Sequence, residues 1–107
     1  KWRKHMMNRK MLKQAQELQK QMLQVQQEVE SSSVEATSGG GVVTVRVTGK
    51  MTLESLKISK DVVDPEDVEM LEDLVQAAIN EGLSKAQQMA SEKMNAVTGG
   101  MNIPGLS

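Results

Sequence analysis

The chain has 107 residues, a formal net charge of −1, no cysteine, no Phe or Tyr, and a single Trp. This length provides one domain with a modest aliphatic and Met-rich core, and the missing cysteine excludes disulfides, thiolate metal sites and Cys nucleophiles. No apolar run is long enough for a transmembrane helix or a secretory signal, so we expect a cytoplasmic protein without a membrane partner.

The charges are segregated along the chain, although their sum is close to zero. Residues 1–13 contain bases and no acid, namely Lys1, Arg3, Lys4, Arg9, Lys10 and Lys13. Residues 61–81 contain acids and no base, namely Asp61, Asp64, Glu66, Asp67, Glu69, Glu72, Asp73 and Glu81. The near-zero total therefore conceals a basic end and an acidic middle.

A seven-residue apolar repeat within residues 7–29 predicts a long first helix that ends near Glu30. Alternating steps of four and three residues are typical of the seam of a coiled coil. At 1.5 Å per residue such a helix is about 35 Å long, which is longer than the compact body that the remaining residues build. We therefore expect another copy of the chain to cover part of this seam. The predicted dimer-seam residues are Met11, Ala15, Leu18, Met22 and Val25.

Three short strands are predicted after this helix. The clearest covers residues 42–48, where valines at alternate positions share one face and polar residues share the other. A shorter strand covers residues 34–37, and three glycines provide the bend between the two. A third strand covers residues 51–59. Such a sheet has one apolar face and cannot stand alone in water, so it needs a helix laid across it.

The third strand is predicted to contain an irregularity. Leu56 and Ile58 are in phase with each other, but Leu53 is one residue out of phase. This pattern indicates a β-bulge near Glu54-Ser55, after the Gly49-Lys50 turn.

A second helix supplies the cover for the sheet. We expect Asp64 to be its N-cap and Pro65 its first helical residue, with apolar residues at helical spacing to about Val97 and a stop at Gly99-Gly100. Its first half should lie on the sheet. Its second half, beyond Gly82, has a narrow stripe of Ala and Met suited to contact with another helix. The predicted fold class is α+β, a single α-β-β-β-α domain with a small antiparallel sheet packed by long helices.

The order of these pieces resembles the YbaB/EbfC family of bacterial nucleoid-associated proteins. The matching segments are Lys13-Gln14-Ala15-Gln16, the Gly-Gly-Gly-Val-Val-Thr-Val run of residues 39–45, the Asp-Pro-Glu-Asp region of residues 63–74, and the tail of residues 97–105. The resemblance implies a nucleoid-associated homodimer with paired, projecting helical arms that binds duplex DNA with little sequence preference and alters its conformation or organisation. Residues 1–6 are set apart as a leader, because the family start is short and contains Met. Residues 7–98 form the dimerising domain, and residues 99–107 form an irregular tail.

Basic helix positions become candidates for DNA contact under this resemblance. They are Arg9, Lys10, Lys13 and Lys20 on the first helix, and Lys85 and Lys93 on the second. Lys and Arg on phosphates supply affinity that is independent of sequence and falls with salt. The alternative is an ordinary solvated helix face, which is what most charge clusters are. The hairpin bases Arg46, Lys50 and Lys57 are a further alternative, since a β-ribbon can meet a groove.

Catalysis is not expected, because the only imidazole is His5 and no Ser/His/Asp set can be assembled. No cofactor, metal or small-molecule substrate is predicted. The glycines of residues 39–41 lack the Lys and Ser/Thr of a phosphate loop, and a helix N-terminus accounts for the acids around Glu69 and Asp73. The rival function is a dimeric protein-interaction adaptor or chaperone-like module that uses the Met-rich seam and tail and has no DNA role.

Overall fold

The computed structural model describes the backbone of residues 2–98 and the side chains of residues 9–97. The elements are helix α1 (Trp2–Ser31), strands β1 (Ser33–Ser38), β2 (Val43–Thr48) and β3 (Leu53–Ile58), a 3-10 turn (Lys60–Val62) and helix α2 (Val68–Thr98). The predicted α+β class and α-β-β-β-α order are confirmed. Helix α1 begins at Trp2 and therefore runs through most of the predicted leader. The predicted helix stop at Gly99-Gly100 and the tail lie outside the described residues.

The three strands form one antiparallel sheet in the order β1-β2-β3. Val45 of the central strand pairs with Ala36 on one side and with Leu56 on the other. Val43, Val45 and Val47 are fully buried, which confirms the face predicted from their alternation. They form the centre of a core that also contains Ala36, Ala78 and Ala86.

The predicted bulge in β3 is confirmed. Arg46 pairs with Ser55 and Val47 pairs with Leu53, so Glu54 has no partner on β2. This extra residue reverses the phase of the strand. It returns Leu53 to the face that Leu56 already occupies, the same face as the buried valines of β2.

The start of α2 corrects the capping prediction. The Asp67 carboxylate, not that of Asp64, accepts the backbone N–H of Met70 at 3.3 Å and caps the helix. Asp64 instead closes a turn before the helix, because its backbone carbonyl accepts the N–H of Asp67 at 3.0 Å and its carboxylate accepts that of Glu66 at 2.9 Å. Pro65 suits the second position of such a turn, so the helix begins one turn later than expected.

Helix α2 packs on β1 and β2 and leaves β3 largely uncovered. Its closest approach to the sheet is at Gly82, where an added Cβ would lie 2.8 Å from a methyl of Val47 and 3.0 Å from one of Val45. The Ser38 hydroxyl donates to the Leu74 carbonyl at 2.6 Å and fixes the other end of the contact. Helix α2 therefore covers the side of the sheet formed by β1 and β2.

Candidate nucleic-acid interface

Four basic residues of α1 are exposed, namely Arg9, Lys10, Lys13 and Lys20. Arg9, Lys13 and Lys20 fall on one stripe, because steps of four and seven residues return to nearly the same side of a helix with 3.6 residues per turn. The stripe is about 16 Å long and lies on the side of α1 opposite Met11. Within residues 9–97, neither these three side chains nor that of Lys10 forms an ion pair or a side-chain hydrogen bond. Their charges are therefore available to an anionic partner.

Burial along the predicted dimer seam increases towards the end of α1. Met11 is 64% exposed and Ala15 is exposed, whereas the rest are half-buried, namely Leu18, Met22 and Val25. Helix α2 contacts α1 near the end of α1, where Lys93 reaches Glu28. The part of the seam nearest this contact is thus partly buried within a single chain, which the heptad pattern did not reveal. A heptad pattern shows that a stripe is apolar but does not identify the helix that covers it.

The two candidates on α2 have partners within the chain. Lys85 donates from Nζ to the backbone carbonyl of Glu35 at 3.3 Å. Lys93 forms an ion pair with Glu28 at 3.0 Å and donates to the Ser32 hydroxyl at 3.2 Å. Lys85 thus contacts the edge of β1 and Lys93 contacts the end of α1. Both lysines lie away from the exposed stripe of α1.

The outer face of the sheet is polar and carries the hairpin alternative. Arg46 lies 3.7 Å from the Glu35 carboxylate and donates to the Ser33 hydroxyl at 3.2 Å. Lys57 pairs across the strands with Thr44 and is exposed. On this face Arg46 is therefore already paired with an acidic side chain, unlike the basic residues of the stripe on α1.

Acidic residues surround the N-terminus of α2. Asp67, Glu69 and Asp73 border a shallow surface depression beside Met70 and Leu74. Among the side chains described, no group of three or more acidic or His residues is placed to hold a metal ion. The depression lies on a surface of negative charge, which disfavours the approach of DNA.

An apolar groove of about 510 Å³ lies between β3 and α2. Its apolar lining comes from both elements, namely Leu56, Ile58, Leu71, Val75 and Ile79. Leu56 is 40% exposed and Ile58 is 37% exposed, although both point to the core side of the sheet. Sequence reasoning placed α2 over the whole sheet and missed this groove. The available signal was the broad apolar surface of the first half of α2, which is wider than two strands can cover.

Among residues 2–98, no helix combines the length and apolarity needed to cross a bilayer. The fold is similar to the crystal structure of an uncharacterised protein from Helicobacter pylori, with a TM-score of 0.60 and 23% identity over 73% of this chain and 90% of that one.

Comparison with known sequences gives closer relatives. A nucleoid-associated protein of Alkaliphilus metalliredigens is 54% identical over 96 residues, covering 90% of this chain and 84% of the relative. One from Syntrophobacter fumaroxidans is 48% identical over 95 residues, covering 89% of this chain and 86% of the relative. The model of the YbaB/EbfC DNA-binding family, which is not a known enzyme family, matches residues 3–101. The resemblance predicted from the sequence is thereby confirmed, and this chain belongs to the YbaB/EbfC DNA-binding family.

Proposed function

We propose that the chain works as a nucleoid-associated homodimer that binds duplex DNA with little sequence preference. The observation that carries this proposal is the exposed stripe of Arg9, Lys13 and Lys20, which has no acidic partner among the described residues. Lys and Arg side chains of this kind neutralise DNA phosphates and release counterions, so they bind a duplex of any sequence. Family membership and the names of the relatives support the same function.

The groove between β3 and α2 supports the homodimer. A sheet with one apolar face is stable in water only when that face is covered, and α2 covers it over β1 and β2. Leu53 is 41% exposed beside Leu56 and Ile58, so the third strand keeps its apolar side open. We assign the second copy of the chain to this groove. A two-fold axis there buries the same groove on both copies.

The seam residues complete the proposed dimer. Because Met11 and Ala15 are exposed, they are the part of the predicted dimer seam that stays available to a second copy. In the dimer the N-terminal half of α1, residues 2–17, is duplicated, and we name it the arm. Each basic stripe lies on the side of its arm opposite Met11, so the two stripes of the dimer face away from the seam. Binding of DNA to both stripes is the proposed means by which the protein alters the conformation or organisation of DNA.

Weak sequence preference follows from the residue types on the stripe. Lys and Arg on phosphates hold the duplex but carry no base information. The only aromatic residue of the chain is Trp2, so the stacking platforms that hold single strands are missing from residues 3–107. The expected target is therefore the backbone of a duplex.

A salt titration tests the function. The affinity for a random-sequence duplex should fall linearly with salt on logarithmic axes, with a slope of about −0.9 for each phosphate neutralised. Duplexes of unrelated sequence should give the same slope and similar Kd values, and a single strand should bind more weakly. Binding of a protein partner that is insensitive to salt, with no shift of any duplex, would instead support the adaptor or chaperone-like alternative.

A further inference from the structure

Lys93 lies at the junction of the two long helices and ties them together. Its Nζ is 3.0 Å from Glu28 Oε1 and donates to the Ser32 hydroxyl at 3.2 Å. The Lys93 side chain is 33% exposed and that of Glu28 is 62% exposed. The ammonium group is thus partly withdrawn from solvent and faces α1.

The end of α1 has no cation of its own. No basic residue lies in its last turn, where the free carbonyls of a helix carry partial negative charge. Around this end, the hydroxyls of Ser31 and Ser32 both donate to the Glu28 carbonyl, at 3.1 Å and 2.7 Å. Lys93 supplies the missing positive charge from α2.

The rest of the attachment of α1 lies in its C-terminal half. The seam residues from Leu18 onward are half-buried, Val29 is buried, and the Gly49 backbone lies against the Val29 carbonyl. The Gly49 N–H donates to the Ser32 carbonyl at 3.0 Å. Arg9 lies about 30 Å along the helix from Val29, so a rotation of about 10° at this attachment displaces Arg9 by about 5 Å. Such a displacement is large enough to separate the Arg9 side chain from a DNA phosphate.

We propose that Lys93 is a positioning residue for DNA binding, which sets the direction of the arm through Glu28 and Ser32 and does not itself contact a phosphate. The proposal rests on the proposed function for its effect on DNA. It replaces the prediction that Lys93 contacts DNA. The two roles can be distinguished, because they predict opposite effects of substituting Glu28, the acidic partner of Lys93.

Matched charge changes on α1 separate the two roles. Glu28→Ala and Glu17→Ala remove the same charge from the same helix, but Glu17 has no ion pair among residues 9–97. With a positioning role, Lys93→Met and Glu28→Ala each raise the Kd for a random-sequence duplex about threefold, the scale expected of an exposed ion pair. The salt slope of these two variants equals that of the wild type. Glu17→Ala lowers the Kd, and Lys93→Arg, which keeps the positive charge, binds DNA as the wild type does.

A direct role at the phosphates gives the contrary pattern. Lys93→Met would then reduce the salt slope by about 0.9 for each phosphate that is no longer neutralised, and Glu28→Ala would tighten binding as Glu17→Ala does. That result would overturn the proposal. Thermal melts followed by circular dichroism establish that each variant is folded.

A distance measurement tests the positioning role without DNA. The chain has no cysteine, so Gln16→Cys and Gln87→Cys place two spin labels on exposed positions of α1 and α2. Dilution with unlabelled chain restricts the measured distances to one protomer. Lys93→Met and Glu28→Ala should broaden the distance distribution, whereas Glu17→Ala should not.

An unchanged distribution in Lys93→Met would overturn the positioning role whether or not the protein binds DNA. A wild-type chain that bound no duplex would overturn the proposed function, and the distance distributions would still decide whether Lys93 holds the arm.

Discussion

Gly82 of α2 lies so close to Val47 of β2 that a Cβ on the glycine would be 2.8 Å from a Val47 methyl. Both residues are buried, and β-branched Val47 has little rotamer freedom with which to yield. A glycine in the middle of a helix normally costs stability, so its presence here reflects the close approach of helix and sheet.

Gly82→Ala should therefore destabilise the fold. Overpacking of this kind costs about 1–3 kcal/mol, and the better helix propensity of Ala returns at most about 1 kcal/mol of it. Urea unfolding followed by circular dichroism measures the change in the free energy of unfolding. Glu81→Ala is the control, because Glu81 is exposed on the same helix and should change stability little. A Gly82→Ala variant more stable than wild type would contradict the close packing.

The groove predicts a change in oligomeric state. Leu56→Glu places a charge on the apolar side of β3, where we propose the second copy packs, and should convert the dimer to a monomer at micromolar concentration. Analytical ultracentrifugation measures this. Ser55→Glu is the matched control, because Ser55 is the preceding residue and lies on the outer face opposite Arg46. A Leu56→Glu protein that remained dimeric would place the interface elsewhere.

The basic stripe predicts a change in the salt slope of DNA binding. Arg9→Ala and Lys13→Ala should each weaken binding to all duplex sequences and reduce the slope by about 0.9 for each phosphate that the variant leaves unneutralised. Fluorescence anisotropy titrations at several salt concentrations provide both values. Lys60→Ala is the control, because Lys60 lies in the 3-10 turn beside the acidic Asp61. An equal effect of all three variants would show that net charge alone is responsible.

The turn between β2 and β3 predicts a stabilising substitution. Met51 has a φ of 63°, the left-handed region that costs a residue with a Cβ about 1–2 kcal/mol. Met51→Gly removes this cost and should stabilise the fold by about 0.5–1 kcal/mol after the greater backbone entropy of Gly in the unfolded chain is counted. Thermal melting detects the sign. Met70→Gly, in the helical conformation of α2, should be destabilising by about 1 kcal/mol.

The N-terminus of α2 illustrates how far local patterns reach. Asp64 and Asp67 are both good caps and lie three residues apart, so the sequence alone offers two starts for one helix. The turn that Asp64 closes with Asp67 decides between them. Local chemistry thus specified the type of structure here, and hydrogen bonding in the folded chain specified its boundary.

The sequence by itself determined the order of the elements, the buried face of β2 and the bulge in β3, because these depend on residue periodicity and phase over short stretches. It also carried the family, through segments spread along nearly the whole chain. Only the tertiary structure decided that α2 covers two strands and leaves a groove beside the third. It likewise decided that Lys93 faces Glu28, 65 residues away in sequence. Such contacts depend on where helices cross in space, and no local pattern encodes the crossing.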